Sequence, residues 1–304
     1  MTVQDRAIVV LAAALMLAAC TAPEPAAPPP PAPETATPPP ETAPPPEAAP
    51  ATKAAPPAAN GPAPATRSAV PALLRAAESG DVLAQFDLGN RYLAGRGVAA
   101  DDETAAKWFL AAAEGGFAPA QYNMALLYLQ GIGVARDEAA ALHWLQEAAG
   151  QGLPEAENRL GGFYAQGTAV PRDDEEAARW FRRAALQGDP PAQHNLGGMY
   201  YTGLGVPQDD AEAARWFGMA AARGHRPAQL YLGTLYAEGR GVEADPVEAL
   251  KWVTLAATPP ADLTITARAS KLRAELIAGM SKEQIARAER LAREWRPAPA
   301  ATGG

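Results

Sequence analysis

The chain has 304 residues, a formal net charge of −8 and one cysteine, Cys20. An acidic balance with no sustained Lys/Arg block excludes a nucleic-acid partner, whose phosphates demand a clustered basic surface, and a lone cysteine excludes an intrachain disulfide or a multi-cysteine metal site. Of the 31 prolines, 19 fall between positions 21 and 71, so only the remainder of the chain has the composition of a packed fold.

Residues 7–19 form an uninterrupted apolar run of 13 residues, short of the roughly 20 that cross a bilayer as a helix. With Arg6 ahead of it, the run reads as the apolar core of a signal peptide spanning residues 1–19. It ends in Leu17-Ala18-Ala19-Cys20, which resembles the lipobox of bacterial lipoproteins. The resemblance implies that the Cys20 thiol is acylated, becomes the mature N-terminus and tethers the protein to a membrane. Thr21 stands where an Asp would imply retention at the inner membrane, so the same resemblance favours the outer membrane, facing the periplasm. The alternative is a cleaved secretory peptide and a soluble periplasmic or secreted protein.

From 20 to 69 the chain is rich in Pro and Ala, with no aromatic residue and no periodic apolar stripe, and is expected to stay disordered. Polyproline II geometry at about 3.1 Å per residue gives such a segment a reach on the order of 150 Å. It is either a semi-rigid tether or unselected low-complexity sequence.

The rest of the chain repeats. Trp108, Trp144, Trp180, Trp216 and Trp252 lie 36 residues apart, and the same interval links Tyr92, Tyr128, Tyr164, Tyr200 and Tyr236. A third column at that spacing is Gly95, Gly131, Gly167, Gly203 and Gly239. Each unit reads as two helices. In the first unit Ala84, Leu88 and Tyr92 fall on one face of a helix over residues 84–94. Gly89 lies beside Leu88, and its counterparts Gly161, Gly197 and Gly233 point to close approach of a neighbouring helix, with Ala125 leaving room in unit two.

The helix then stops at Gly95-Arg96-Gly97-Val98, where positive φ is needed. Unit three departs with Gly167-Thr168-Ala169-Val170, and its turn is expected to differ. These glycines follow a helix in every unit, which makes them turns and not a nucleotide loop. An aspartate follows each turn, at Asp101, Asp137, Asp173, Asp209 and Asp245, as an N-cap for the second helix. Glu176, Glu212 and Glu248, three residues on from their caps, complete the pattern of a capping box. The second helix carries Ala105, Trp108, Phe109, Ala112 and Ala113 as its apolar stripe and ends near Gly116, with Val253 replacing Phe in the last unit.

The pattern Ala-Gln-x-x-Leu-Gly-x-x-Tyr-x-x-Gly-x-Gly-Val, then Asp, Ala, Trp-Phe and Ala-Ala, resembles the Sel1-like repeat, a relative of the tetratricopeptide repeat. The resemblance covers five units over residues 80–259. It implies an all-α fold, a right-handed α-solenoid in which the first helices line a concave face and each unit is stabilised by its neighbours. By that reading Phe86, Tyr122, Asn158, His194 and Leu230 face a partner, with Asn90, Leu126, Gly162, Gly198 and Thr234 one turn on.

The ends depart from the period. Residues 70–79 echo a second helix without its Trp-Phe and are expected to cap the N-terminal end. Residues 260–296 should form two capping helices, the last opened by the capping box Ser281 to Gln284, with a disordered tail over 297–304. Arg287, Arg290, Arg293 and Arg296 alternate with Glu283, Glu289 and Glu294, which reads as a solvated face or, in the alternative, a patch for lipid or an acidic partner.

Catalytic material is scarce. His143, His194 and His225 occupy unrelated repeat positions with no partner at ligand spacing, so no metal, cofactor or catalytic residue is expected. Some cysteine-rich Sel1-like proteins are linked to β-lactam hydrolysis, and their cysteines are absent here. The sequence therefore points to a non-catalytic scaffold or adaptor at the cell envelope that binds a partner protein or peptide. A periplasmic regulator of a sensor kinase is the alternative, and a cell-wall-associated or β-lactam-hydrolysing enzyme is the third reading.

Overall fold

A computed structural model describes residues 70–258 and 262–298. The expected signal peptide, Cys20 and the Pro/Ala-rich linker lie outside the described residues, as does most of the C-terminal tail. Among the described residues there are thirteen α-helices and no strand. A single helix, α1 (Val70–Glu78), precedes five hairpins: α2/α3 (Val82–Ala94, Asp102–Glu114), α4/α5 (Ala118–Gln130, Glu138–Gly150), α6/α7 (Pro154–Gln166, Asp174–Leu186), α8/α9 (Pro190–Thr202, Asp210–Ala222) and α10/α11 (Arg226–Glu238, Pro246–Ala256). Then come α12 (Leu263–Ala278) and α13 (Lys282–Glu294). From α1 to α12 each helix packs on the next along the chain, and α13 returns to lie on α11.

Local chemistry explains the boundaries. Gly95, Gly131, Gly167, Gly203 and Gly239 all take φ between 66° and 74°, ending the first helices in the left-handed conformation that spares a carbonyl from going unpaired. Each following aspartate caps the second helix through its carboxylate, as Asp101 does with the Thr104 N–H at 3.1 Å. The first helix of unit one starts earlier than its apolar stripe, at Val82, because Asp81 accepts the Leu83 and Ala84 amides.

Two local expectations are corrected. The turn of unit three does not differ: Ala169 adopts φ 57°, the conformation that Gly133, Gly205 and Gly241 take in the other units. Ala169 bears the Cβ penalty of that region, roughly 1–2 kcal/mol. The reciprocal capping box forms at Ser281 and Gln284. At the repeats, Glu176, Glu212 and Glu248 turn outward to Arg179, Arg215 and Lys251, one helical turn on, because a cation at i+3 attracts the carboxylate more than a neutral amide does.

The core follows the seams between hairpins. Ala105, Ala106, Phe109, Ala112 and Ala113 of α3 pack on Ala120, Met124 and Leu127 of α4, with Trp144 from the next helix closing the cluster. The same combination recurs with Trp216 and with Trp252. Glycines on the first helices let the second-helix phenylalanines approach their backbones. A Cβ on Gly89 would sit 2.7 Å from the Phe109 ring, one on Gly161 2.8 Å from Phe181, and one on Gly197 2.9 Å from Phe217. Unit two solves the same volume differently: Ala125 replaces the glycine and Leu145 the phenylalanine, both fully buried in one cluster.

The ends are closed by non-repeat helices. Ala77 of α1 receives the Gln85 amide just as Ala113 receives Gln121, so α1 takes the place of a second helix ahead of unit one. At the other end Ala269 of α12 and Ala288 of α13 are buried against the last hairpin.

Candidate binding face of the solenoid

The first helices α2, α4, α6, α8 and α10 present one residue column toward the face expected to meet a partner. Phe86 is half-buried and meets the Phe109 and Phe117 rings edge-on at 5.6 and 5.1 Å. The half-buried Tyr122 phenol has its pKa pushed up by burial, with a hydrogen bond to Arg159 opposing that rise. Asn158 accepts a 2.9 Å bond from Asn195 of the next unit. Asn90 and Thr234 turn back to their own helices, donating to the Phe86 and Leu230 carbonyls at 3.0 Å each.

Leu126 and Leu230 leave this surface. Each is 4% exposed. Leu230 is covered by Ala269 of α12, so the C-terminal cap occupies the position that an open solenoid would offer to a partner.

His194 has a partner that its sequence position concealed. Its ring lies 5.0 Å from that of His225, 5.4 Å from Phe217 and 5.5 Å from Tyr231. The two histidines are 31 residues apart, an interval that is not the repeat period, and meet because the turn before α10 packs on α8. His225 caps α10 by accepting the Ala228 amide on Nδ1. Burial lowers its imidazole to about 4 and holds His194 well below its ordinary value, so both rings are neutral at pH 7. Both rings lie in an aromatic seam, and among the described residues no group of three metal-ligating side chains is assembled.

The residues that shape this face and that the sequence reading passed over sit one position further along the helix. They are Arg159, Asn195 and Tyr231, with Tyr201 and Arg240 beside them. Arg240 forks onto Asp210 at 3.0 and 2.9 Å, donates to the Tyr201 hydroxyl at 2.7 Å and stacks over that ring, tying the turn of unit five to unit four. The repeat period carries the signal for these positions, since Asp87, Asn123, Arg159, Asn195 and Tyr231 form a column that never repeats an apolar core residue.

A second column entered the repeat pattern only as the Gln of Ala-Gln, with no role assigned. Gln85, Gln121, Glu157, Gln193 and Gln229 are buried at the start of each first helix. The four glutamines donate to carbonyls of the preceding helix at 3.1–3.2 Å. Glu157 has no proton to donate when ionised, and its place at the Ala149 carbonyl is taken by Arg183. Arg183 also pairs with Glu157 at 2.8 Å, and Gln187 donates to its other oxygen at 2.7 Å.

Comparison with known proteins places the fold. The Sel1 repeat family model matches residues 82–117, 118–153, 154–189, 190–225 and 226–258. The crystal structure of a Sel1 repeat protein from Oxalobacter formigenes is similar at 31% identity and a TM-score of 0.64, over 77% of this chain and 93% of that one. The protective antigen c5321 of uropathogenic Escherichia coli strains, which displays an SLR fold, is similar at 28% identity and a TM-score of 0.53, over 75% of this chain and 56% of its own. A search of curated proteins gave no match. Five consecutive repeat matches, covering more than half of the sequence, show that this chain belongs to the Sel1 repeat family.

Proposed function

We propose that the protein is a non-catalytic scaffold that holds a partner protein against the face of its first helices, anchored at the cell envelope through Cys20. Sel1 repeats are a protein-interaction fold. The observation that carries the reading is the contrast between two sets of positions. Core positions repeat from unit to unit, whereas the adjoining face runs Phe86, Tyr122, Asn158 and His194 in one column and Asp87, Asn123, Arg159, Asn195 and Tyr231 in the next. A surface that varies on an invariant frame supplies specificity, and half-buried Tyr and Arg are the side chains that anchor interfaces.

The test is affinity capture from envelope extracts with wild-type protein and with a Tyr122→Ala/Arg159→Ala/Tyr231→Ala variant. A protein retained by the wild type and lost by the variant supports the reading, and equal retention overturns it. The anchor is tested separately by metabolic labelling with an alkyne fatty acid: the wild type should take up label and Cys20→Ser should not.

A further inference from the structure

The C-terminal cap does more than cover α11. The segment after α13 is pinned across α9 by the Ala298 amide, which donates to the Ala222 carbonyl at 2.7 Å. Trp295 lies edge-on to Trp252 at 6.3 Å and against Gly224. Between this segment, the turn before α10 and the end of α11 opens a cleft of about 700 Å³.

Its charge runs against that of the chain. Arg223, Arg226, Arg293 and Arg296 line it, opposed by one acidic residue, Glu289. That carboxylate is already engaged by Arg273 at 2.9 Å, and Arg293 reaches it only at 4.0 Å. Arg296 donates to backbone carbonyls, which hold its guanidinium in place without neutralising it, whereas Arg223 donates to the Gly188 carbonyl and is partly balanced by the neighbouring Asp189 carboxylate. The remaining wall is apolar, from Leu255, Ala292, Trp295 and Pro297. In that wall the Thr254 hydroxyl is buried without a hydrogen-bond partner among the described residues. A concentration of positive charge in a cleft of a protein with net charge −8 focuses the field on an anion, and guanidinium forks match carboxylates bidentately.

We propose that this cleft binds an acidic segment of a partner protein, with glutamate or aspartate side chains on the arginines and an apolar side chain against Trp295. The inference rests on the protein-binding reading above and adds the chemistry of the partner. An open cleft with an apolar wall between charged groups suits a peptide, and the net negative charge of the chain repels an anionic bilayer from everything except this recess.

The experiment uses the full chain and a short fluorescein-labelled peptide that alternates glutamate with leucine, followed by anisotropy. The peptide should bind saturably, weaken steeply with added salt, and bind about tenfold or more weakly to Arg226→Glu/Arg293→Glu. The same peptide with glutamine for glutamate should not bind. Glutamate at the first position of α10 favours the helix dipole, and Arg293 is exposed, so the double variant should fold. An unchanged thermal unfolding curve checks that, and Arg226→Ala/Arg293→Ala serves if it does not hold. Equal binding by either double variant, equal binding of the glutamine peptide, full displacement by millimolar inorganic phosphate, or recruitment to phosphatidylglycerol vesicles in place of the peptide would each overturn the proposal. If the partner captured above is lost by the Tyr122/Arg159/Tyr231 variant but kept by the cleft variants, the cleft falls and the face stands. The opposite pattern sinks the face and leaves the cleft.

Discussion

The Glu157 carboxylate, 1% exposed, meets the Arg183 guanidinium at 2.8 Å where every other unit has a buried glutamine. Burial pushes the Glu157 pKa up, and the pairing with Arg183 opposes that rise. Breaking such a pair from one side strands a charge, so Arg183→Ala should destabilise the protein by about 1–3 kcal/mol, less than a fully buried pair because the arginine is half exposed. Glu157→Gln replaces a buried carboxylate with the amide that the other units place at the carbonyl equivalent to that of Ala149, and should be neutral or stabilising by about 1 kcal/mol. In that background Arg183→Ala should cost little. Urea unfolding of the double-mutant cycle measures the coupling.

Gly161 and Phe181 set a sign that depends on context. Alanine in mid-helix gains about 1 kcal/mol over glycine. Yet its Cβ would stand 2.8 Å from a ring that is itself buried and has nowhere to move, an overpacking cost of typically 1–3 kcal/mol. Gly161→Ala should therefore destabilise the wild type. With Phe181→Leu already in place, the same change should stabilise, because Ala125 and Leu145 show that pairing fits. Equal effects in both backgrounds, read by thermal unfolding, would show that the ring contact does not decide the packing.

Ala169 sits at φ 57°. Replacing it with glycine should raise stability by about 1 kcal/mol, the cost of a Cβ in the left-handed region less the entropy glycine loses on folding. The converse change at Gly241 has no such room, since a Cβ there runs into the Asp210 carbonyl. Gly241→Ala should cost more than the Ala169→Gly gain, and chemical denaturation of both variants gives the comparison.

Two helix caps, Asp189 at the seam of units three and four and His225 at the seam of units four and five, pull the pH dependence in opposite directions. His225 is lowered to about 4, so its contribution to stability is complete above pH 6.5 and is lost as pH falls toward 4. The Asp189 carboxyl is raised to about 6 by burial, against the Ala192 amide it caps, so its contribution is complete below pH 3.8 and is lost as pH rises through 6. Linkage sets each at about 1–3 kcal/mol. His225→Asn should make the protein less sensitive to acid between pH 4 and 6.5. Asp189→Asn, which keeps the cap, should steepen the loss of stability on acidification over the same range. Melting temperatures across that range test both, and slopes unchanged by either variant would contradict the assignment.

The period, two helices per unit, their capping aspartates and the left-handed glycines are all readable from the sequence because each depends on residues within one or two helical turns. So is the need for small residues at Gly89 and its counterparts, which a glycine in mid-helix announces by its own cost. Tertiary structure alone decided that Leu126 and Leu230 turn inward, that His194 and His225 meet, that Ala169 accepts a glycine conformation, and that arginines from α10, from α13 and its following segment, and from the turn after α9 line one cleft. In each of these the decisive neighbour comes from another helix, at a separation that local propensity and periodicity do not encode. Burial, and with it the protonation of Glu157, Asp189, His194 and His225, is a property of the assembled seams between hairpins and not of any single one.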